Sequence, residues 1–298
     1  MGHDHDERDH PHHARTDFGR AFVIGIILNS AFIVFEVIFG LLSDSLALLA
    51  DAGHNLADVL GLVMAWVAGE LAKKAPSPRR TYGWKRSTVL AALFNALLLL
   101  IGVGAIAWEA IQRFHDPPPV EGTTVIWVAA LGIAINGASA LIFMSGRKRD
   151  LNVRGAFLHM AADAAVSAGV MFSGAVILFT GWRWLDPLVS LLVGLVILLS
   201  TWELFTDSLN LSLDAVPEGV DPRAVHAYLA GLPGIAGIHH LHIWALSTTE
   251  VALTAHLVKK TAVLDDALLT RIREDLLHRY GIEHPTIQFE SARCEEKC

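Results

Sequence analysis

Six long apolar runs, parted by short polar connections, occupy the first two thirds of the chain: Phe18–Leu42, Ser45–Ala72, Ser87–Phe114, Thr123–Ser145, Gly155–Thr180 and Leu185–Asp207. Each exceeds the roughly 20 residues that a helix needs to cross a bilayer core. In lipid the backbone must satisfy its own hydrogen bonds, so each run is expected to be a helix. Very short connections make consecutive helices antiparallel neighbours, which predicts a six-helix bundle. The first run is too long for a signal peptide, and a histidine-rich acidic tail precedes it.

From Ser208 the pattern changes to that of a small soluble domain. Asp221-Pro222 opens a helix expected to reach Leu232, with Pro at the first helical position and Pro233-Gly234 behind it. His239–Leu246 alternates, with Leu241, Ile243 and Ala245 on one face and His240, His242 and Trp244 on the other; Val251–Val258 alternates again. Leu264–Tyr280 has helical spacing and stops at Gly281, and Thr286–Glu290 reads as a third strand. The order α-β-β-α-β predicts a ferredoxin-like α/β sandwich with helices on one side of the sheet. Three segments result: a tail over 1–17, a membrane domain over 18–207 and a cytoplasmic metal-binding and dimerisation domain over 208–298.

Composition agrees. Hydrophobic residues make up 53% of the 298 positions and charged ones 18%, with a mean hydropathy of +0.46, which excludes one soluble domain. A net charge of −7 leaves no basic face to neutralise phosphates, so nucleic acid is not an expected partner. Lys73, Lys74, Arg79, Arg80, Lys85, Arg86, Arg147, Lys148, Arg149 and Arg154 fall in two connections on one side, against Arg113 and Arg183 on the other. That asymmetry puts both termini in the cytoplasm, with the chain in the inner (plasma) membrane. Cys294 and Cys298 would stay reduced there.

Chemistry enters with the ionisable residues inside the spans, which are costly in lipid and therefore functional candidates. His54 and Asp58 stand four apart in the second span, and His159 and Asp163 four apart in the fifth. Residues four apart share one helix face. A lone buried histidine is usually a packing residue, and a lone His–Asp pair can simply hold two helices together. Two matched pairs on antiparallel helices do more, because they bring His54 level with Asp163 and Asp58 level with His159. Two imidazoles and two carboxylates suit tetrahedral Zn²⁺, and the carboxylates neutralise the dication. Asp51 lies near the same face, and Glu36 is the best candidate for supporting the site or passing protons to it. The other intramembrane polar residues, Asn29, Asn95, Glu109, Asn136, Glu203 and Asp207, read mainly as interhelical glue.

Ser45–Asp58 (SLALLADAGHNLAD), His159–Asp163, Tyr82–Arg86 (YGWKR) and His239–Trp244 (HHLHIW) together resemble the cation diffusion facilitator family, and its bacterial zinc exporters in particular. The resemblance runs from the first span to Glu290. It implies a homodimeric antiporter that sends cytoplasmic Zn²⁺ out in exchange for H⁺, with His54, Asp58, His159 and Asp163 as the transport site. His54 resembles the zinc-preferring form of that site. In the cytoplasmic domain the resemblance matches His239, His256 and Glu290 to zinc-holding positions, with His284 as a further candidate. Gln288 stands where some relatives have histidine, which favours one ion over two. A loop site found in some relatives is missing, because Lys73–Arg86 contains no acid or histidine. The histidine-rich opening, His3 to His13, and the Cys294/Cys298 pair are further candidate zinc ligands.

Cadmium, cobalt and nickel stay open as additional substrates, since ligand type alone does not separate them from zinc. A passive divalent-metal channel and a membrane-bound zinc sensor remain as alternatives. A catalytic zinc would want an open coordination position and a nucleophile motif, and no H-E-x-x-H is present, so an enzyme is not expected.

Overall fold

The computed structural model describes residues 18–144, 151–260 and 266–291. The histidine-rich opening and the Cys294/Cys298 pair lie outside them. Six long helices come first: α1 (Phe18–Leu42), α2 (Leu46–Ala72), α3 (Ser87–Arg113), α4 (Gly122–Met144), α5 (Leu151–Thr180) and α6 (Leu185–Ser212). Among the described residues, α2 to α6 are each long and apolar enough to cross a membrane, and α1 shows an apolar stretch from Ser30 to Leu42. Their large apolar side chains point outward: Trp66, Ile101, Trp108, Trp127 and Phe179 are all exposed. That is the surface a lipid solvent demands. Trp182 and Trp184 stack at 5.9 Å in the turn between α5 and α6, where an aromatic belt would meet the interface.

The chain divides into two compact units. One runs to Asn55 and takes in Asp116–Val189; the other comprises Leu56–His115 and the chain from Ser190 on. In the first, α4 and α5 pack closely because glycine permits it. A Cβ on Gly122 would lie 2.7 Å from the carbonyl oxygen of Gly174, and one on Gly132 would meet Phe32 and the Ser167 hydroxyl at 2.9 Å. The start of α2 is capped from outside its own sequence. Asp186, in the first turn of α6, accepts from the Ser45 hydroxyl at 2.6 Å, from Leu46 N–H at 2.7 Å and from Ala47 N–H at 3.3 Å. Those amides have no partner within the helix, and the positive end of its dipole favours the carboxylate.

The second unit carries the small sheet. α6 continues to Ser212, five residues beyond the expected end at Asp207. In this extension the hydroxyls of Ser208 and Ser212 donate back to the carbonyls four residues earlier, at 2.6 and 2.7 Å. Then follow α7 (Pro222–Ala230), β1 (Ile235–Ala245), β2 (Val251–Lys259), α8 (Asp266–Tyr280) and β3 (His284–Glu290). Asp221 caps α7 by accepting from Arg223 N–H at 2.9 Å. The sheet order is β1-β2-β3, with β1 and β2 antiparallel and β2 and β3 parallel, joined through α8. Val225, Leu229, Ile243, Leu253, Leu257, Ile272 and Leu276 form the buried layer between helices and sheet.

Two strands differ from their expected limits. β3 begins at His284 rather than Thr286, because it pairs with β2 from Ala252 onward. β1 begins at Ile235 and is not regular: its register passes from His239 opposite His256 to His242 opposite Thr254. Three steps on one strand answer two on the other, so β1 holds a bulge, and His240 sits in it at φ +51°.

Candidate transport site and cytoplasmic metal cluster

Helical period brings the first group together. His54 on α2 and Asp163 on α5 lie level, with Nε2 of His54 3.5 Å from Oδ1 of Asp163. One turn earlier on α5, His159 places its Nε2 3.7 Å from Oδ2 of the same carboxylate. The two imidazole rings stand 6.2 Å apart. Asp163 is only 3% exposed and sits between them. Asp58 lies one turn beyond His54 on α2 and is half-buried.

A layer of polar side chains supports these helices. Oδ2 of Asp51, one turn before His54, accepts from the Ser167 hydroxyl of α5 at 2.9 Å. Glu36 on α1 accepts from the Asn55 amide at 3.3 Å. Both carboxyls are fully buried, and Oε1 of Glu36 and Oδ1 of Asp51 have no hydrogen-bond donor among the described residues. Nothing local in the sequence marks the Ser167 or Asp186 contacts, since each joins residues more than 110 positions apart.

The second group lies on the sheet. Nε2 of His239 is 2.8 Å from Oε2 of Glu290, and Nδ1 of His256 is 2.8 Å from its Oε1. Ligand atoms of the three residues all lie within 4.8 Å of one another, and all three are half-buried. Burial raises the Glu290 carboxyl, but the bond from His239 and the charges of His239 and His256 outweigh it and hold the group below the usual carboxylate range. Two imidazoles and one carboxylate in a partly shielded pocket are a donor set for a borderline-soft divalent ion. Gln288 donates to Glu290 at 2.9 Å rather than offering a ring nitrogen.

The structure does not bring His284 into this cluster. It opens β3, whereas Glu290 ends it, and six residues of strand span about 20 Å. His284 instead places Nε2 2.7 Å from Oε2 of Glu250, a carboxylate that also pairs with Lys85 from the α2–α3 connection. The hydrogen bond and charge of Lys85 lead in holding the Glu250 carboxyl below its ordinary value, with His284 adding to them. Beside it, Thr248 N–H donates to the Thr88 hydroxyl at 3.0 Å, and Arg86 pairs with Asp214. The basic connection is thereby tied to the turn between β1 and β2.

A helical membrane region with paired His/Asp side chains, followed by an α+β domain, defines a class. Residues 22–211 match the cation efflux transmembrane domain, and residues 217–292 match the cation efflux protein cytoplasmic domain. The chain belongs to the cation efflux, or cation diffusion facilitator, family: it is a multi-pass membrane transporter of metal cations and not an enzyme. It is 40% identical to the metal cation efflux system protein CzcD of Cupriavidus metallidurans, over 99% of this chain and 92% of that one. It is 37% identical to the zinc transporter ZitB of Escherichia coli, over 99% and 94%. A Bacillus subtilis protein named a cadmium, cobalt and zinc/H⁺-K⁺ antiporter is 36% identical over 98% and 92%. A solved metal-bound C-terminal domain of the Cupriavidus CzcD transporter is 39% identical, with a TM-score of 0.23 over 24% of this chain and 99% of that one.

Proposed function

We propose that this protein exports Zn²⁺ from the cytoplasm in exchange for H⁺, and that His54, Asp58, His159 and Asp163 carry the ion across. The observation that carries the reading is the Asp163 carboxylate, buried and flanked by two imidazoles from two helices. Asp58 joins them as fourth donor through its four-residue spacing from His54 on α2. Two neutral imidazoles and two carboxylates satisfy tetrahedral zinc and cancel its charge. The names of the relatives support the cargo, and the Bacillus relative's name supports exchange against protons.

Coupling follows from the ligand chemistry. Zinc requires unprotonated imidazole and ionised carboxylate, so ion and protons compete for the same atoms. Facing the cytoplasm, the deprotonated site takes zinc. Facing outward, protons displace the ion and return on the emptied ligands. Alternating exposure requires the helices that bear the ligands to rock against the others. A groove of about 600 Å³ along the small-residue side of α2 is lined in part by Gly61, Ala65, Gly69, Asn95 and Glu250.

His239, His256 and Glu290 hold a second, resident zinc in this reading, which fits their donor set and would tie β1, β2 and β3 together as a sensor of cytoplasmic zinc. The active form is a homodimer in the plasma membrane with both termini in the cytoplasm, in keeping with the matched cytoplasmic domain. The test is zinc flux into proteoliposomes containing the protein or its Asp163→Ala variant. Saturable flux that the variant lacks supports the transport site; equal flux in the two overturns it.

A further inference from the structure

We infer that His240 is the third imidazole ligand of the cytoplasmic zinc site, closing it as a three-histidine, one-carboxylate centre; this rests on reading His239, His256 and Glu290 as a metal site. In a regular strand, neighbouring residues point to opposite faces, and His240 would turn away from its predecessor. The bulge in β1 cancels that alternation. His239 and His240 both lie against His256, with ring centres 4.9 Å apart for His239 and His240, 5.0 Å for His240 and His256, and 5.1 Å for His239 and His256. The three imidazoles form a nearly equilateral triangle.

That spacing has a meaning. A tetrahedral ion bound to three imidazoles at about 2.0–2.1 Å per nitrogen holds their ring centres roughly 5 Å apart. The ligand atoms already within 4.8 Å of one another are those of His239, His256 and Glu290, so His240 would rotate about its Cα–Cβ and Cβ–Cγ bonds to aim a ring nitrogen at the point they surround. The backbone is set for the same end. His240 has φ +51°, a left-handed conformation uncommon outside glycine that histidine adopts more readily than most side chains. Glycine would adopt it at no steric cost, yet a histidine stands there.

Gln288, beside Glu290, offers no ring nitrogen, and His240 supplies the missing donor from the opposite strand. A fourth protein ligand changes the character of the site. Three ligands with an open position suit chemistry on a bound water, whereas four suit a closed, structural ion. His242 serves as the natural comparison: its ring lies 6.4 Å from that of His240, and it is exposed at the outer edge.

The experiment uses the full-length chain in detergent, in a His54→Ala/Asp163→Ala background that removes the transport ligands. Cobalt(II) is titrated and its ligand-field absorption read, and zinc affinity is measured by competition with a chromophoric chelator. His240→Gly removes the imidazole while relieving the backbone, so the apo variant should unfold no earlier than its parent. It is expected to weaken zinc binding at least about tenfold and to lose the intense tetrahedral cobalt bands. His242→Ala should keep both. An unchanged spectrum and affinity in His240→Gly, with binding abolished in Glu290→Ala, overturns the inference alone. Failure of the parent itself to bind cobalt overturns the cytoplasmic metal site and the inference together.

Discussion

The Ser45 hydroxyl donates to Oδ1 of Asp186 at 2.6 Å, and the same carboxylate closes the N-terminus of α2, the helix that bears His54. One side chain at the start of α6 thus fixes the start of the helix that carries the proposed ligand His54. Asp186→Ala leaves buried amides without a partner and is expected to cost about 2 kcal/mol. The thermal unfolding midpoint in detergent should fall, with Asp186→Asn milder because its amide oxygen still accepts. Equal midpoints for Asp186→Ala and the parent would show that the cap contributes nothing.

Ser167 plays a similar part from α5. Its hydroxyl is a donor to the fully buried Asp51, one turn before His54. Ser167→Ala should destabilise the protein by about 1–3 kcal/mol, the usual consequence of removing a partner from a buried polar group. Zinc stoichiometry should not change, since no ligand is removed. Chemical denaturation and equilibrium dialysis read the two effects separately.

Much of this was legible beforehand because the physics is local. Lipid demands long apolar runs, and α1 to α6 fall close to the limits that those runs set. The paired His54/Asp58 and His159/Asp163 follow from helical period alone. Other features were hidden because they join distant residues. Asp186 lies about 140 positions from the helix it caps, and no pattern along the chain signals that. Alternation keeps His240 and His242 on one face, but it does not reveal the bulge that brings His239 round to join them. The family resemblance offers His284 as a further ligand beside Glu290, and only the extent of β3 separates the two by the length of the strand.

That separation has a consequence for metal binding. His284→Ala should leave zinc affinity of the cytoplasmic cluster unchanged, while Glu290→Ala abolishes it. Isothermal titration on a background lacking Asp163 distinguishes them. A comparable loss in both variants would place His284 among the ligands.

Glu250 provides a pH dependence with a defined sign. Its carboxyl is held below its ordinary value of 4.5, chiefly by Lys85, so the folded state favours the ionised form. The resulting stability is fully present above about pH 4.5 and fades as pH falls through the lowered folded value. Glu250→Gln should therefore unfold at a lower temperature than the parent near neutrality, and the gap should narrow in acid. A gap that widened on acidification would contradict the pairing.

The most direct test of the account follows zinc and protons together. Proteoliposomes loaded with a zinc indicator and a pH indicator receive external Zn²⁺ with or without an imposed pH gradient. The account predicts zinc entry accompanied by proton exit, faster when the interior is acidic, with both movements absent in Asp163→Ala. Zinc entry indifferent to the gradient and without proton movement would contradict it and mark a passive channel.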